Sequence, residues 1–371
     1  MLYEKLHSEN KLLEVQGRYL NLKKIESFLK SFKLKNQLEI LGYSVQNRPI
    51  YKCQIGTGKI KILMWSQMHG NESTTTKGLL DFMNFLQNDE AAIEILNEYT
   101  FHIIPMLNPD GAEIYTRENA NKVDLNRDFQ NLSQPESRLL MQYFKEVAPD
   151  YCFNLHDQRT IFGVGNTGKT ATLSFLAPSF NEAKEYDDFR LQSVKIIMKM
   201  YKTLKFIIPE QIGRFDDGFN NNCVGDAFQS LQTPTILIEA GHYPEDYDRE
   251  ETRRLVFIAL LSAFQKEEKV SIIEEDFLNY LKIPQNTTNF YDIIFRNVKI
   301  SIDNSENITN IAVQFTEELK NDKIVFNAFI VKTGNLNDCF GHFEYHANEE
   351  KFSDLQFDIS KLNVNANFYP D

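Results

Sequence analysis

The sequence lacks the features of disulfide-rich, thiolate-metal and membrane proteins. Its 371 residues include only four cysteines, at positions 53, 152, 223 and 339, and no two of them form a C-x-x-C pair. Neither a thiolate zinc site nor a dithiol redox motif is therefore predicted, and four isolated thiols fit a reducing compartment. No window approaches the roughly 18 consecutive apolar residues of a membrane span, and the N-terminus has no signal-peptide pattern. We expect a soluble, cytoplasmic protein.

An excess of basic residues is also absent. The chain has 40 Lys and Arg against 52 Asp and Glu, which gives a formal net charge of -12. Such a field repels phosphate backbones and anionic lipids, so neither nucleic acid nor a membrane is predicted as a partner. With 42% hydrophobic residues and only 16 Gly and 11 Pro, the chain is long enough for one large core and a smaller second domain. The oligomeric state stays open.

The order of the apolar runs predicts an α/β fold. Buried-strand patterns alternate with helical periodicity between residues 60 and 264, as in parallel sheets whose strands are joined by helices. Residues 1–36 carry apolar side chains at helical spacing and form a predicted N-terminal helical extension. From about residue 268 the pattern changes to short alternating runs, which indicate a small β-rich domain. The predicted domains are therefore residues 1–267, which include the extension, and residues 268–371.

Polar side chains that could bind a metal follow several of these strands. His69 and Glu72 stand three residues apart after one strand, while His156 and Glu239 lie at the ends of two others. Open α/β sheets keep their sites at the carboxyl ends of strands. A lone His-x-x-Glu is commonly an ordinary surface turn, but its recurrence with other strand-end ligands favours a site. Two histidines and a glutamate are a familiar ligand set for a catalytic zinc, and Glu239 is the candidate to move the proton of a zinc-activated water.

Six short motifs connect the chain to a known family. HGNE, NPDG, TREN, DLNRDF, NLH and IEAG occur in the order found in zinc carboxypeptidases, and over roughly residues 40–265 the chain resembles that family. The resemblance implies that His69, Glu72 and His156 bind one Zn²⁺ per chain. It also implies that Glu239 is the general base and then the general acid.

The loop motifs imply further roles. Asn126 and Arg127 would clamp the terminal carboxylate of a substrate, since a guanidinium fork matches a carboxylate. Arg117 would stabilise the oxyanion, and Asp124 would orient a zinc-binding histidine. Each has a simpler alternative, because the arginines could pair with acidic neighbours such as Asp128, and Asp124 could serve only in an Asx-turn.

The sequence also departs from the family. Its digestive members carry a mobile tyrosine some twenty residues before the catalytic glutamate, whereas no tyrosine lies between Tyr201 and Tyr243. Phe215 or Phe219 could line that wall but cannot donate a hydroxyl hydrogen bond. The floor of the specificity pocket is expected near Cys223 to Asp226, and Asp226 would favour a basic terminal side chain if it faced the pocket.

Together these features predict a zinc metallocarboxypeptidase on a mixed, mostly parallel twisted sheet of about eight strands. Helices are expected on both faces, and the small β-rich domain follows. The predicted substrate is a peptide with a free carboxylate or a small acylated amino acid. The alternatives are an N-acyl amino acid deacylase or desuccinylase, a cell-wall peptide amidase, and a catalytically silent zinc- or peptide-binding module.

Overall fold

The structure is a computed structural model that describes residues 2–33, 37–266, 273–302, 305–352 and 366–368. Its helices are α1 (Leu2–Asn10), α2 (Leu22–Lys33), α3 (Thr74–Asn88), α4 (Ile93–Glu98), α5 (Pro109–Ile114), α6 (Pro135–Val147), α7 (Asp188–Leu204), α8 (Val224–Ser230), α9 (Glu250–Phe264) and α10 (Ile273–Lys282). Its strands are β1 (Leu38–Tyr43), β2 (Pro49–Ile55), β3 (Ile60–Ser66), β4 (Tyr99–Ile104), β5 (Tyr151–Asp157), β6 (Phe162–Val164), β7 (Leu173–Leu176), β8 (Ile212–Arg214), β9 (Thr235–Ala240), β10 (Asn286–Thr288), β11 (Phe290–Ile302), β12 (Ser305–Lys320), β13 (Lys323–Gly334), β14 (Phe340–His346) and β15 (Ala366–Phe368).

A central sheet of eight strands has the order β1-β2-β4-β3-β5-β9-β7-β8. The four inner strands β4, β3, β5 and β9 are parallel, and antiparallel pairings join β1, β2 and β7 to them. All six residues of β9 are buried, as expected for a strand covered on both faces. The predicted mixed eight-stranded sheet is confirmed.

Helices cover both faces of this sheet, because successive side chains of a strand point to opposite sides. Met64 of β3 packs in a core cluster with side chains of α3 and α9, such as Phe82 and Leu260. The next residue, Trp65, lies in a second cluster and contacts Phe228 of α8 edge to face at 5.5 Å between ring centroids. The α/β layering expected from the sequence is therefore present.

The C-terminal region forms a separate five-stranded sheet, β14-β11-β12-β13-β15. Its apolar core includes Ile293 of β11 and, on β12, Val313 and Phe315, which are two positions apart and therefore on the same face of the strand. The β-rich composition predicted for this region is confirmed, while the boundary at residue 267 stays a prediction. The helix α10 precedes the sheet and was not apparent from the sequence pattern.

The segment Asn108-Pro109-Asp110-Gly111 consists of residues that are common in turns, yet its last three residues begin the short helix α5. The Asn108 side chain accepts a hydrogen bond of 2.9 Å from the Gly111 amide, and Pro109 occupies the first helical turn. Asparagine before a helix and proline within its first turn are helix-start signals as well as turn signals. The local sequence therefore serves either structure, and the fold selects the helix.

None of the helices in the described ranges combines the length and apolar composition needed to cross a bilayer. The cytoplasmic location expected from the sequence stays a prediction.

Candidate metal centre and active site

The loop after β3 is held in place by the segment that follows β4. The Asn108 side chain donates a 3.1 Å hydrogen bond to the carbonyl of Met68, and the Asn108 amide bonds the carbonyl of Gln67 at 3.1 Å. Gln67 has a positive φ of 49°, an uncommon conformation for a side-chain-bearing residue. A Cβ added to Gly70 would lie 2.0 Å from the Gly111 carbonyl carbon. The HGNE and NPDG motifs are thus two sides of one close backbone contact.

A carboxylate at the end of β5 fixes the same loop from the other side. Asp157 accepts hydrogen bonds from the amides of Thr74 (2.6 Å) and Thr75 (2.9 Å), the first residues of α3. Its own amide donates to Glu72 at 3.1 Å. A carboxylate at a helix N-terminus satisfies amides that have no partner within the helix. Asp157 therefore holds the loop that carries His69 and Glu72 against the strand that supplies His156.

Three candidate ligand atoms converge at the carboxyl ends of β3 and β5. His69 Nδ1 and His156 Nδ1 are 3.1 Å apart. Each lies 2.8 Å from one oxygen of the Glu72 carboxylate. All three residues are buried, and they form the group in the described part of the chain that could hold a metal ion. The structure thus brings together the three predicted ligands.

These donors fit a tetrahedral zinc ion. An ion about 2 Å from each donor places neighbouring donors roughly 3.3 Å apart, close to the separation of the two Nδ1 atoms. Two imidazole nitrogens and a carboxylate that face one point cannot all be satisfied by hydrogen bonds to one another, because a single proton bridges only two of the three groups. A cation can accept all three.

The charges around Glu72 match this arrangement. Burial alone would raise the pKa of Glu72, but the adjacent His69 and His156 hold that pKa well below its usual range. Burial lowers the pKa of His156, which favours a neutral ring. For His69, the opposing influence of Glu72 and a hydrogen bond to Asp124 outweigh burial and raise the pKa. An ionised carboxylate and neutral imidazoles are the forms that ligate metals, so a cation would have to displace the proton that His69 favours.

Asp124 contacts both His69 and Arg117. Its Oδ1 lies 2.9 Å from His69 Nε2, the ring nitrogen that faces away from the other ligands. Its Oδ2 accepts a 3.0 Å bond from Arg117 Nε, and Arg117 Nη1 lies 3.2 Å from Glu72. Asp124 also accepts from the Asn126 amide at 2.9 Å. The Asx-type turn and the contact to the histidine, posed as alternatives by the sequence, therefore coexist.

Glu239 lies beside this group in the sheet. It is the register partner of His156 across the parallel pair β5 and β9. It is buried, and its carboxyl forms no hydrogen bond with any residue that the structure describes. Burial, reinforced by the charges of Glu72 and Asp157, raises the pKa of Glu239 well above its usual range. A carboxyl whose pKa has been moved toward neutrality can both accept and donate a proton.

Asn126 and Arg127 lie on another wall of the same cavity. The Asn126 carbonyl oxygen Oδ1 accepts a 3.0 Å bond from the Val224 amide, which leaves the Nδ2 donors free to face a ligand. Arg127 Nη1 bonds the Asn126 backbone carbonyl at 2.7 Å and contacts Cys223 Sγ at 3.1 Å. Arg127 is exposed and pairs with no carboxylate in the described ranges. The simpler alternative of an Arg127 ion pair with Asp128 is therefore wrong.

One cavity of about 700 Å³ contains every predicted site residue except Asp124 in its lining. Phe215 also lines it, whereas Phe219 is not among the lining residues. The hydroxyls of the lining tyrosines are engaged, Tyr115 with Glu317 and Tyr247 with Asp292.

Asp226 lines this cavity and accepts a 2.7 Å bond from the Asn220 amide. Burial raises the pKa of Asp226 to about 7. Asp226 therefore lies in the cavity wall, and its role in the specificity pocket stays a prediction.

Sequence reasoning missed the walls that come from the two ends of the chain. Arg18 of the N-terminal region and Asp292, Phe315 and Glu317 of the C-terminal sheet line the cavity. No motif marks these residues. Arg159 also lines the cavity, and its position three residues after His156 could have identified it.

Comparisons with known proteins agree with this geometry. A family model described as zinc carboxypeptidase matches residues 25–172, a span that includes the three metal-ligand candidates but not Glu239. Carboxypeptidase SOL1 of Arabidopsis thaliana is 30% identical over 168 residues, 39% of this chain and 34% of that protein. Carboxypeptidase E of Caenorhabditis elegans is 33% identical over 144 residues, 31% of this chain and 30% of that protein. The matched stretch thus spans about a third of the length of these curated relatives.

Solved structures share the fold over a larger part of the chain. A metallo-carboxypeptidase from Burkholderia cenocepacia has a TM-score of 0.53 at 18% identity, covering 66% of this chain and 68% of that one. A carboxypeptidase A from Helicoverpa armigera has a TM-score of 0.51 at 17% identity, covering 72% and 81%. Residues 25–172 therefore match the zinc carboxypeptidase family, and a larger part of the chain shares the fold of solved carboxypeptidases.

Proposed function

We propose that the protein is a zinc metallocarboxypeptidase that hydrolyses the C-terminal peptide bond of peptides. One observation carries the proposal: His69, Glu72 and His156 converge at one cavity, which Glu239 borders from the neighbouring strand. A zinc ion bound by these three residues would polarise the scissile carbonyl and lower the pKa of a water toward about 7.

Asn126 and Arg127 select the end of the substrate. Because Asn126 Oδ1 is occupied by the Val224 amide, its Nδ2 group is oriented to donate to a carboxylate. Arg127 uses only Nη1 in its contacts with Asn126 and Cys223, so its remaining donors can bind the same carboxylate. A free terminal carboxylate would place the last peptide bond, and no other, near the metal ligands.

Glu239 and Arg117 act on the reacting atoms. Glu239 accepts the proton of the attacking water and then delivers it to the departing amine. Arg117 is held by Asp124 through Nε and by Glu72 through Nη1, which leaves Nη2 to donate to the oxygen that becomes negatively charged. Asp124 positions both His69 and Arg117.

The proposal also concerns the two predicted domains, residues 1–267 and 268–371, because both contribute to the cavity wall. Arg18 from the N-terminal extension and Glu317 from the C-terminal region form an ion pair of 2.7 Å at the cavity wall. We propose that the extension and the β-rich unit enclose the cleft and admit only the end of a chain.

Mass spectrometry of a defined peptide mixture tests this function. The mixture contains each peptide as a free acid and as a C-terminal amide, and the zinc-loaded protein is compared with the metal-depleted protein and with Glu239→Gln. We expect the loss of one residue from free-acid members only, in the zinc-loaded wild-type protein only.

Two results would contradict the proposal. Equal cleavage of amides and acids would remove the Asn126 and Arg127 clamp, and equal turnover by Glu239→Gln would remove the mechanism. If every peptide survives, the same assay with N-acyl amino acids and cell-wall stem peptides tests the deacylase and amidase alternatives.

A further inference from the structure

Four arginines line the cavity, and they differ in how far the protein already uses them. Arg18 binds Glu317 through two bonds of 2.7 and 3.0 Å. Arg117 pairs with Asp124 and Glu72, and Arg127 is the proposed clamp of the terminal carboxylate. Arg159 forms no ion pair or hydrogen bond with any residue that the structure describes. It is the cation of this cavity that still lacks an assigned partner.

The backbone on both sides of Arg159 is fixed. The Gln158 amide donates to Ala240 at 2.8 Å, and the Gln158 carbonyl accepts a 2.9 Å bond from Arg249. On the other side, the Thr160 carbonyl accepts a 2.7 Å bond from His342. These partners come from β9, the start of α9 and β14. Arg159 is therefore presented to the cavity from a rigid segment rather than from a mobile loop.

Arg159 and Arg127 belong to different walls of the cavity. Arg127 contacts Cys223, next to the first turn of α8. The residue after Arg159, Thr160, accepts a 2.8 Å bond from Gln314 of the C-terminal sheet. If the terminal carboxylate binds Arg127, the wall that carries Arg159 is available to the part of the substrate that Arg127 does not bind. That part is the acyl side of the scissile bond.

The negative charge around the cavity increases the expected effect of Arg159 on the binding of an anionic substrate. The cavity wall includes the carboxylates of Asp216, Asp226 and Glu317, and the formal net charge of the chain is -12. Such a field repels a substrate with a second negative charge unless a cation without an internal partner compensates it. An exposed guanidinium retains the five donors that match a carboxylate.

We infer that Arg159 recognises a carboxylate on the acyl side of the scissile bond. The inference rests on the proposed function. The preferred substrates are then peptides with Glu or Asp upstream of the residue that is released. An N-terminal dicarboxylic acyl group offers the same chemistry, and the assay distinguishes these two sources.

Matched tripeptides measure this recognition directly. They differ only in Glu or Gln at the residue before the scissile bond, or carry Gln there with a succinyl cap. We compare kcat/KM for the wild-type protein, Arg159→Gln and Arg159→Glu, with Arg138→Gln as a control. Arg138 is exposed and bonds only the carbonyls of Leu132 and Ser133, so its variant repeats the change of net charge away from the cavity.

The wild-type protein is expected to favour an upstream carboxylate about tenfold over Gln, the scale of one charge-assisted contact. Arg159→Gln should remove this preference and leave turnover of the Gln peptide unchanged, and Arg159→Glu should favour Gln over Glu at that position. Arg138→Gln should keep the preference. If the Glu peptide has the higher kcat/KM, the recognised carboxylate is that of an upstream side chain. If the succinyl-capped peptide has the higher kcat/KM, it is that of the acyl group.

Equal losses for Glu and Gln peptides in Arg159→Gln, or no preference in the wild-type protein, would overturn the inference. Binding of the same peptides to Glu239→Gln, with and without Arg159→Gln, separates this failure from failure of the proposed function. If nothing is hydrolysed but the Glu peptide binds about tenfold more tightly through Arg159, the hydrolysis proposal alone fails. Equal affinity for the Glu and Gln peptides again overturns the inference.

Discussion

Asp124 Oδ1 lies 2.9 Å from His69 Nε2 on the side of the ring opposite Nδ1. A histidine that binds a metal through one nitrogen is oriented by the acceptor at the other nitrogen. Here the same carboxylate also holds Arg117 through Nε at 3.0 Å. Asp124 therefore links a candidate metal ligand to the residue proposed to stabilise the oxyanion.

We expect Asp124→Ala to weaken zinc binding by about 10- to 100-fold, the usual effect of removing a partner of a metal-binding histidine. Competition with a chromophoric chelator measures the affinity without reference to activity. Glu118→Gln is the control, because Glu118 is exposed in the same loop. Zinc affinity equal in the two variants would contradict the role of Asp124.

The chain encodes the metal-ligand candidates in short motifs, which explains why they can be predicted from sequence. His69, Glu72 and His156 each follow or end a strand with a distinct apolar pattern, and parallel strands deliver their carboxyl ends to one edge. The general layering of the sheet follows from the same pattern.

The rest of the cavity could not be predicted in this way. Arg18 and Glu317 are 299 positions apart in sequence, and neither belongs to a recognisable motif. Their contact depends on how the N-terminal extension and the C-terminal sheet pack on the α/β body. The turn composition of Asn108 to Gly111 is compatible with a helix start or a loop, so local rules could not choose between them.

The Gly70 and Gly111 backbones approach so closely that a side chain at Gly70 must force the two loops apart. A Cβ there would lie 2.0 Å from the Gly111 carbonyl carbon. We expect Gly70→Ala to lower the free energy of unfolding by about 1 to 3 kcal/mol, the scale of overpacking, and to weaken zinc binding more than tenfold. Chemical denaturation and chelator competition measure the two effects.

Gly17→Ala is the control for Gly70→Ala, because it strains the backbone without displacing the loop that carries His69 and Glu72. Gly17 has a φ of +73°, but a Cβ there meets no atom within 4 Å. Its substitution should cost stability through φ alone and leave zinc affinity unchanged. Unaltered zinc affinity in Gly70→Ala would show that the close contact does not set the ligand geometry.

Removing Glu317 should leave a buried cation without its partner. Arg18 is 7% exposed, and its Nη2 bonds both oxygens of Glu317. We expect Glu317→Ala to lower the free energy of unfolding by about 3 kcal/mol, within the range for breaking a buried pair. Urea denaturation followed by tryptophan fluorescence and circular dichroism measures this change.

Glu318→Ala is the control, because Glu318 is the exposed neighbour on the same strand, where it pairs with Lys320 and accepts a 2.9 Å hydrogen bond from Asn327. Its effect on the unfolding curve should be much smaller than that of Glu317→Ala, because a surface ion pair and one exposed hydrogen bond stabilise little. Identical curves for both variants would mean that the extension and the C-terminal sheet do not depend on the ion pair.

Asp226 should make the preference for a basic terminal residue depend on pH. Burial raises the pKa of this carboxyl to about 7, so it is largely neutral at pH 6 and charged at pH 8. We expect the ratio of kcat/KM for peptides ending in Lys over peptides ending in Leu to rise about tenfold between these values. Ionisations that affect both peptides equally cancel in this ratio. In Asp226→Asn the ratio should no longer depend on pH.

Stability gives a second measurement that requires no substrate. The folded-state pKa of Asp226 lies above the usual 3.8, so the folded protein binds more protons than the unfolded chain between about pH 4 and pH 7. The contribution of Asp226 to stability is complete below that window and is lost as the pH rises through 7. Asp226→Asn, which remains neutral, should therefore gain stability relative to the wild-type protein between pH 5 and pH 8. A parallel pH dependence in the two proteins, together with a preference for apolar terminal residues at every pH, would exclude Asp226 from the specificity pocket.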